Sequence, residues 1–260
     1  MKAVILCGGQ GTRIRDVSEA VPKPMLPIGG KPILWHIMKL YAHHGIKDFV
    51  LCLGYKGWSI KEFFLNYLAM TADITVELGG AGKVQYHGAT PEEGWRVTLA
   101  ETGEASQTGA RVWNARKYLE DTDRFCLTYG DGVADLNVKA LLDQHEKSGC
   151  TAILSGVRPA GRFGEIDCED GRVSHFHEKP NVTTGLINGG FMAFKTAEAL
   201  RYFRPGAELN LEQDVLPLIV RDKQLAVYQH DGFWQCMDTL REFTLLNDLW
   251  ASNKAPWKVW

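Results

Sequence analysis

The chain has 260 residues, 45% of them hydrophobic and 23% charged, with a formal net charge of −2. That size accommodates one large α/β domain with a substantial core, and the composition is that of an ordinary globular chain. The charge excludes a nucleic-acid partner recruited by a basic surface, and the lack of a long apolar run or a signal-peptide pattern makes a cytoplasmic, membrane-free protein the expectation.

Residues 2–6, KAVIL, read as a buried parallel strand. Gly8, Gly9 and Gly11 follow at once, lowering the steric cost of bringing backbone close to a ligand. Rows of backbone N–H groups bind anions, and Arg13 adds a planar charged fork suited to phosphate. Lys23 sits between two rigid residues, Pro22 and Pro24. A cation on a stiff loop opposite a glycine cradle would grip a polyphosphate from two sides. Two familiar phosphate motifs are absent: Ile14 stands where the dinucleotide fingerprint needs its third glycine, and no Gly-Lys-Ser/Thr completes a P-loop. On the glycines alone, a plain turn after a strand is an equal reading.

Helical spacing of Ile33, Ile37, Leu40 and Tyr41 predicts a helix over 31–41, with Pro32 in its first turn. A strand over 49–53 and a helix over 60–70 follow. This β-α-β-α rhythm calls for a parallel sheet with helices on its faces. Short strands over 74–77, 84–86 and 95–98 enclose a glycine-rich excursion at 79–82, and Thr108 opens another helix. A strand over 125–129 runs into Gly130-Asp131-Gly132, and a helix covers 138–147. Beyond Gly149, strands are predicted over 152–157, 164–167, 173–176, 186–194 and 226–229, with a hairpin signal at Asp170-Gly171 and helices over 211–221 and 240–252. The six cysteines form no CxxC pair and fit buried free thiols. The histidines read as packing or surface residues, and no serine or cysteine lies in a nucleophile motif such as GxSxG.

Asp131 follows an apolar strand, where open parallel sheets present their ligand sites, and offers the hard oxygen that Mg²⁺ prefers. Asp135 fits either a second ligand or the N-cap of the next helix. Asp238, after an aromatic stretch, needs a partner, a metal or a capping role. In Glu178-Lys179-Pro180 the carboxylate could accept sugar hydroxyls and the ammonium neutralise a phosphate, although for the dipeptide in isolation an exposed Glu-Lys pair is the more ordinary outcome.

GGQGTR with PKP, TYGDGVADL, GRFGEI, EKP, INGGF, FWQCMDTLRE and the terminal KAPWKVW together resemble the sugar nucleotidyltransferases, which join a sugar 1-phosphate to a nucleoside triphosphate. The match spans nearly the whole chain. It is nearest to the cytidylyltransferase branch, whose members make CDP-glucose from CTP and glucose 1-phosphate for deoxysugars of surface polysaccharides such as O-antigen. The resemblance implies an α/β fold of the nucleotide-diphospho-sugar transferase type: a Rossmann-like, mixed, mostly parallel sheet flanked by helices, with a smaller β-rich sugar-binding portion. It also implies one domain over 1–260, with a nucleotide-binding part roughly over 1–135, a sugar and metal part roughly over 150–240 and a C-terminal helix over 240–252. A homo-oligomer is implied as well.

Carried over by position, Leu6, Gly8, Gly9, Gly11, Thr12 and Arg13 line the nucleotide and its phosphates. Lys23 reaches the phosphates, Ser106 and Arg111 contact the nucleotide, and Gly130 lies beside Asp131. Asp131 and Asp238 hold Mg²⁺, Arg13 and Lys23 carry the catalytic charge, and Glu178, Lys179 and Asn188 bind the sugar phosphate. The chain departs from the broad family in lacking a proline after GTR and in carrying Ala110 where a second glycine is expected before Arg111. Those departures leave room for UTP, dTTP or another sugar 1-phosphate. A non-catalytic nucleotide-sugar-binding subunit is the reading from outside enzymology.

Overall fold

Alternation along residues 2–6 sends Val4 and Leu6 to one face of a sheet and Ala3 and Ile5 to the other, and all are buried. This computed structural model describes residues 1–9, 21–79, 82–90, 92–158, 165–169, 172–177 and 185–260, with 165–169 and 172–177 as backbone only. Among the described residues seven strands build the main sheet: β1 (Lys2–Leu6), β2 (Asp48–Leu53), β3 (Arg96–Glu101), β4 (Arg124–Tyr129), β5 (Ala152–Val157), β6 (Ile187–Lys195) and β7 (Leu225–His230). Their order is β7-β5-β6-β4-β1-β2-β3. Strand β1 pairs in parallel with β2 and β4 on either side, setting Ala3 opposite both Phe49 and Cys126. Strand β6 runs antiparallel to β4 and β5, while β5 with β7 and β2 with β3 are parallel. The sheet is therefore mixed and mostly parallel, as expected.

A helical layer covers each face. On one side α1 (Ile33–His43) lies with α5 (Val138–Ser148) and α7 (Leu240–Ala251) over Ala3, Ile5, Phe49 and Leu51, and Trp257 closes that core. On the other, α4 (Thr108–Ala115) and the segment 211–221 cover Val4, Leu6, Val50 and Leu127. Helix α1 is apolar nearly all round, which suits a helix buried on more than one side. Among the described residues no helix is long and apolar enough to cross a membrane.

The structure departs from expectation in two places. The helix expected over 60–70 is two, α2 (Gly57–Leu65) and α3 (Tyr67–Thr71), parted at Asn66, whose side-chain amide donates to the Glu62 carbonyl. The helix over 211–221 opens with a π turn, Leu211–Val215, before α6 (Leu216–Arg221). Pro217 cannot donate to the carbonyl four residues back, which favours widening of the preceding turn. The two strands expected over 164–167 and 173–176 do pair antiparallel, as Glu165–Glu169 with Arg172–His177, and among the described residues they form a sheet separate from the main one. The Asp170-Gly171 signal between them lies outside the described residues.

Candidate active site

The site lies at the carboxyl ends of β1 and β4, parallel neighbours in the middle of the sheet. Beyond Leu6, Cys7 N–H donates to the Cys52 carbonyl at 3.0 Å, holding the chain in line with β2. A Cβ at Gly8 would lie 2.1 Å from the Arg111 guanidinium, so glycine there is required by the arginine beneath it. Among the described residues nothing apart from its chain neighbours lies within 4 Å of where a Cβ on Gly9 would be.

Lys23 opens a single 3₁₀ turn, Lys23–Met25, entered from Pro22 in an extended conformation. Pro24 is buried against Gly130: a Cβ on that glycine would come within 2.9 Å of the proline ring and 3.0 Å of the Leu6 carbonyl. This close approach delivers the lysine to the end of β4. Its ammonium lies 2.6 Å from Asp131 Oδ2 and also bonds Asp238 Oδ1. Burial alone would lower the Lys23 pKa; the two carboxylates outweigh it and raise the ammonium above its ordinary value.

A ribbon of two three-residue strands brings Asp238 to Asp131. Gly132–Ala134 pairs antiparallel with Trp234–Cys236, placing Cys236 opposite Gly132, and Met237 N–H donates to the Asp131 carbonyl at 2.8 Å. Asp238 is not the N-cap of α7. Thr239 caps that helix in a reciprocal box with Glu242, whose carboxylate also accepts from the Asp238 N–H, so the Asp238 carboxylate faces Lys23. Asp135 does not cap α5 either: Asn137 does, while an Asp135 carboxylate oxygen lies 3.1 Å from His230 Nε2.

Between these groups and the start of α4 lies a cavity of about 220 Å³, lined by Leu6, Gly8, Gly9, Ser106, Arg111 and Asp131 among others. A larger open cleft of about 1090 Å³ elsewhere contains none of the residues singled out from sequence. Arg111 is 4% exposed. It donates to the carbonyls of Gly8, Leu53, Gly103 and Glu104 and to the Thr102 hydroxyl, over 2.9–3.2 Å. Burial lowers its pKa, and among the described residues no carboxylate pairs with it. Its guanidinium therefore staples the glycine turn, the end of β2 and the 102–104 loop, and adds buried positive charge to the cavity wall.

Asn188 stands on β6, its side chain accepting from Gly190 N–H and lying beside the Tyr129 hydroxyl. Gly190 adopts a φ of +81°, and a Cβ there would strike the Tyr129 ring at 2.6 Å. Gly11, Thr12, Arg13, Glu178 and Lys179 lie outside the described residues. Sequence reasoning missed Thr108 and Tyr129, which line the cavity, and Glu212, which bonds both hydroxyls. Nothing in their spacing marks them, because they come from three separate elements. Burial pushes the Cys52 thiol up to about 12 and Cys7 well above its ordinary value, so neither is a nucleophile at neutral pH.

Among the described residues no cluster of three metal-binding side chains occurs. Two carboxylates already converging on one cation nevertheless match the way Mg²⁺ is bound, through one or two carboxylates with substrate phosphates completing its shell.

The family model for nucleotidyl transferases matches residues 2–249. The chain belongs to the nucleotidyl transferase family. It is 46% identical to the glucose-1-phosphate cytidylyltransferase of Salmonella typhi over 260 residues, which is the whole of both chains. It is 41% identical to the probable glucose-1-phosphate cytidylyltransferase of Bacillus subtilis (strain 168), again over the full length of both. In fold it resembles the crystal structure of HddC from Yersinia pseudotuberculosis, with a TM-score of 0.66 at 24% identity over 96% of this chain and 99% of that one. In this nucleotidyltransferase a glycine turn, a lysine and two aspartates meet at the strand ends beside a cavity.

Proposed function

We propose that this nucleotidyltransferase transfers the cytidylyl group of CTP to glucose 1-phosphate, giving CDP-glucose and pyrophosphate. Whole-length likeness to proteins named for that reaction supports the substrates. The single structural observation that carries the reading is the Lys23 ammonium held between Asp131 and Asp238 at the mouth of the cavity.

In this reading an oxygen of the sugar phosphate attacks the α-phosphorus of CTP in line and pyrophosphate leaves. A phosphate monoester has a second pKa of about 6, so the nucleophile is already ionised at neutral pH and no general base is required. Catalysis then consists of positioning and charge neutralisation. The turn at Gly8 and Gly9 presents backbone to the triphosphate, kept in place by Arg111. Lys23 turns from the carboxylates toward the phosphates when they enter. Asp131 and Asp238 would hold Mg²⁺, which would supply positive charge to the phosphates during transfer. Arg13 is assigned to the departing pyrophosphate, and Glu178, Lys179 and Asn188 to the sugar phosphate, on the strength of the motif resemblance.

The same proposal includes a single domain over 1–260, a cytoplasmic location, assembly into a homo-oligomer and supply of CDP-glucose for surface polysaccharides. Exposed Trp58, Leu65, Met70 and Leu78, which lie within 57–78, support an oligomer contact. The test is pyrophosphate release with each nucleoside triphosphate against a panel of sugar 1-phosphates, with and without Mg²⁺. Turnover confined to CTP and glucose 1-phosphate is expected. Turnover only with another pair reassigns the substrates, and binding without pyrophosphate removes the catalytic reading.

A further inference from the structure

The Glu212 carboxylate joins two parts of the cavity wall that the chain supplies from distant segments. It stands in the π turn Leu211–Val215, yet it does not serve that turn: the Asn210 side chain accepts from the N–H groups of Glu212 and Gln213 and caps it. Both Glu212 oxygens point elsewhere. Oε2 accepts from the Thr108 hydroxyl at 2.7 Å, and Oε1 accepts from the Tyr129 hydroxyl. Thr108 is locked further by accepting the Leu211 N–H at 2.9 Å.

Thr108 is the first residue of α4 and shares the cavity wall with Ser106 and Arg111. Tyr129 is the last residue of β4, directly before Gly130 and Asp131, and it lies beside Asn188. A chain of hydrogen bonds thus runs from Tyr129, which lies beside Asn188, through Glu212 to Thr108. One end lies in the wall that the functional reading gives to the nucleotide, the other in the wall it gives to the sugar phosphate. Among the described residues no cation pairs with Glu212, so its charge is met by hydroxyl donors, and bonds to a charged acceptor are the stronger kind.

We infer that Glu212 is a positioning residue that sets the distance between the nucleotide and sugar-phosphate walls of the active site. This rests on the functional reading above. It acts through Thr108 and Tyr129 without touching substrate, so its loss should loosen binding of both substrates while Lys23, Asp131 and Asp238 stay in place.

The experiment is steady-state pyrophosphate release by Glu212→Leu, Glu212→Gln, Thr108→Val and Tyr129→Phe, and by Glu212→Leu combined with each of the last two. Glu212→Leu is expected to raise KM for both CTP and glucose 1-phosphate about tenfold or more, with kcat changed far less. Glu212→Gln, which keeps the shape and can still bond both hydroxyls, is expected to recover most of that loss. Thr108→Val or Tyr129→Phe should raise KM in the wild-type background and add nothing in the Leu background. If Glu212→Leu fails to fold, coupling between Thr108→Val and Tyr129→Phe tests the same link. Wild-type KM values in Glu212→Leu, a loss confined to kcat, or fully additive effects would overturn the inference while an active wild type leaves the functional reading standing. A wild-type chain inactive with CTP and glucose 1-phosphate overturns both.

Discussion

Lys23 and Asp131, 108 residues apart in sequence, meet with the ammonium 2.6 Å from a carboxylate oxygen, and Asp238 bonds the same ammonium from the other side. The lysine thus occupies the position of positive charge between the two groups assigned to the metal. Replacing Lys23 with alanine leaves two adjacent carboxylates without that ammonium. Nucleotide-free Mn²⁺, followed by electron paramagnetic resonance, should bind Lys23→Ala more tightly than wild type. Turnover of the same variant should fall by about 10²–10³. Unchanged Mn²⁺ affinity would show that the ammonium does not compete for the site.

Gly130 is confined by Pro24 and the Leu6 carbonyl, so Gly130→Ala forces the Lys23 turn or β1 to move. Overpacking of this kind costs about 1–3 kcal/mol. The expected outcome is a lower Tm together with a larger fall in kcat than in the KM values, because Lys23 is displaced from the reacting phosphates. Wild-type kinetics in a merely less stable variant would separate the packing from the chemistry.

His36 provides a test of the core in which α1 is packed. Its ring is fully buried, bonds the Ile28 carbonyl at 2.9 Å and stacks edge-on to Trp35 and Trp250. Burial lowers its pKa from 6.5 to about 4, with Lys258 acting in the same direction and hydrogen bonds to backbone at Ile28 and Lys31 opposing. Between those two values the unfolded chain binds a proton that the folded one excludes, so stability is lost as pH falls from 6.5 toward 4. The full difference amounts to about 3 kcal/mol. Tm should therefore fall more steeply between pH 7 and 4.5 in wild type than in His36→Gln. Parallel curves would mean that His36 is protonated equally readily in both states.

The architecture was legible where one chemical signal spans many residues. The KAVIL run, the helical spacing of Ile33, Ile37 and Leu40, and the β-α-β rhythm point to β1, α1 and the parallel sheet. Asp131 could be picked from its place after an apolar strand. Its meeting with Asp238 could not, because the ribbon that aligns them uses strands of three residues, too short to show a period. A side-chain role such as that of Arg111 is equally silent in sequence. Its donors go to the backbone carbonyls of Gly8, Leu53, Gly103 and Glu104, and a carbonyl leaves no mark on residue type. Glu212 looked like one more acidic residue in a helix, since its partners come from α4 and β4.

The central claim is that the Asp131 carboxylate, with Asp238, serves the transfer step and not the fold. Asp131→Asn preserves shape and removes the charge. Its rate of pyrophosphate release from CTP and glucose 1-phosphate with saturating Mg²⁺ is the most direct test. A fall of at least about 10²-fold at an unchanged Tm is expected, and turnover near wild type would contradict the account.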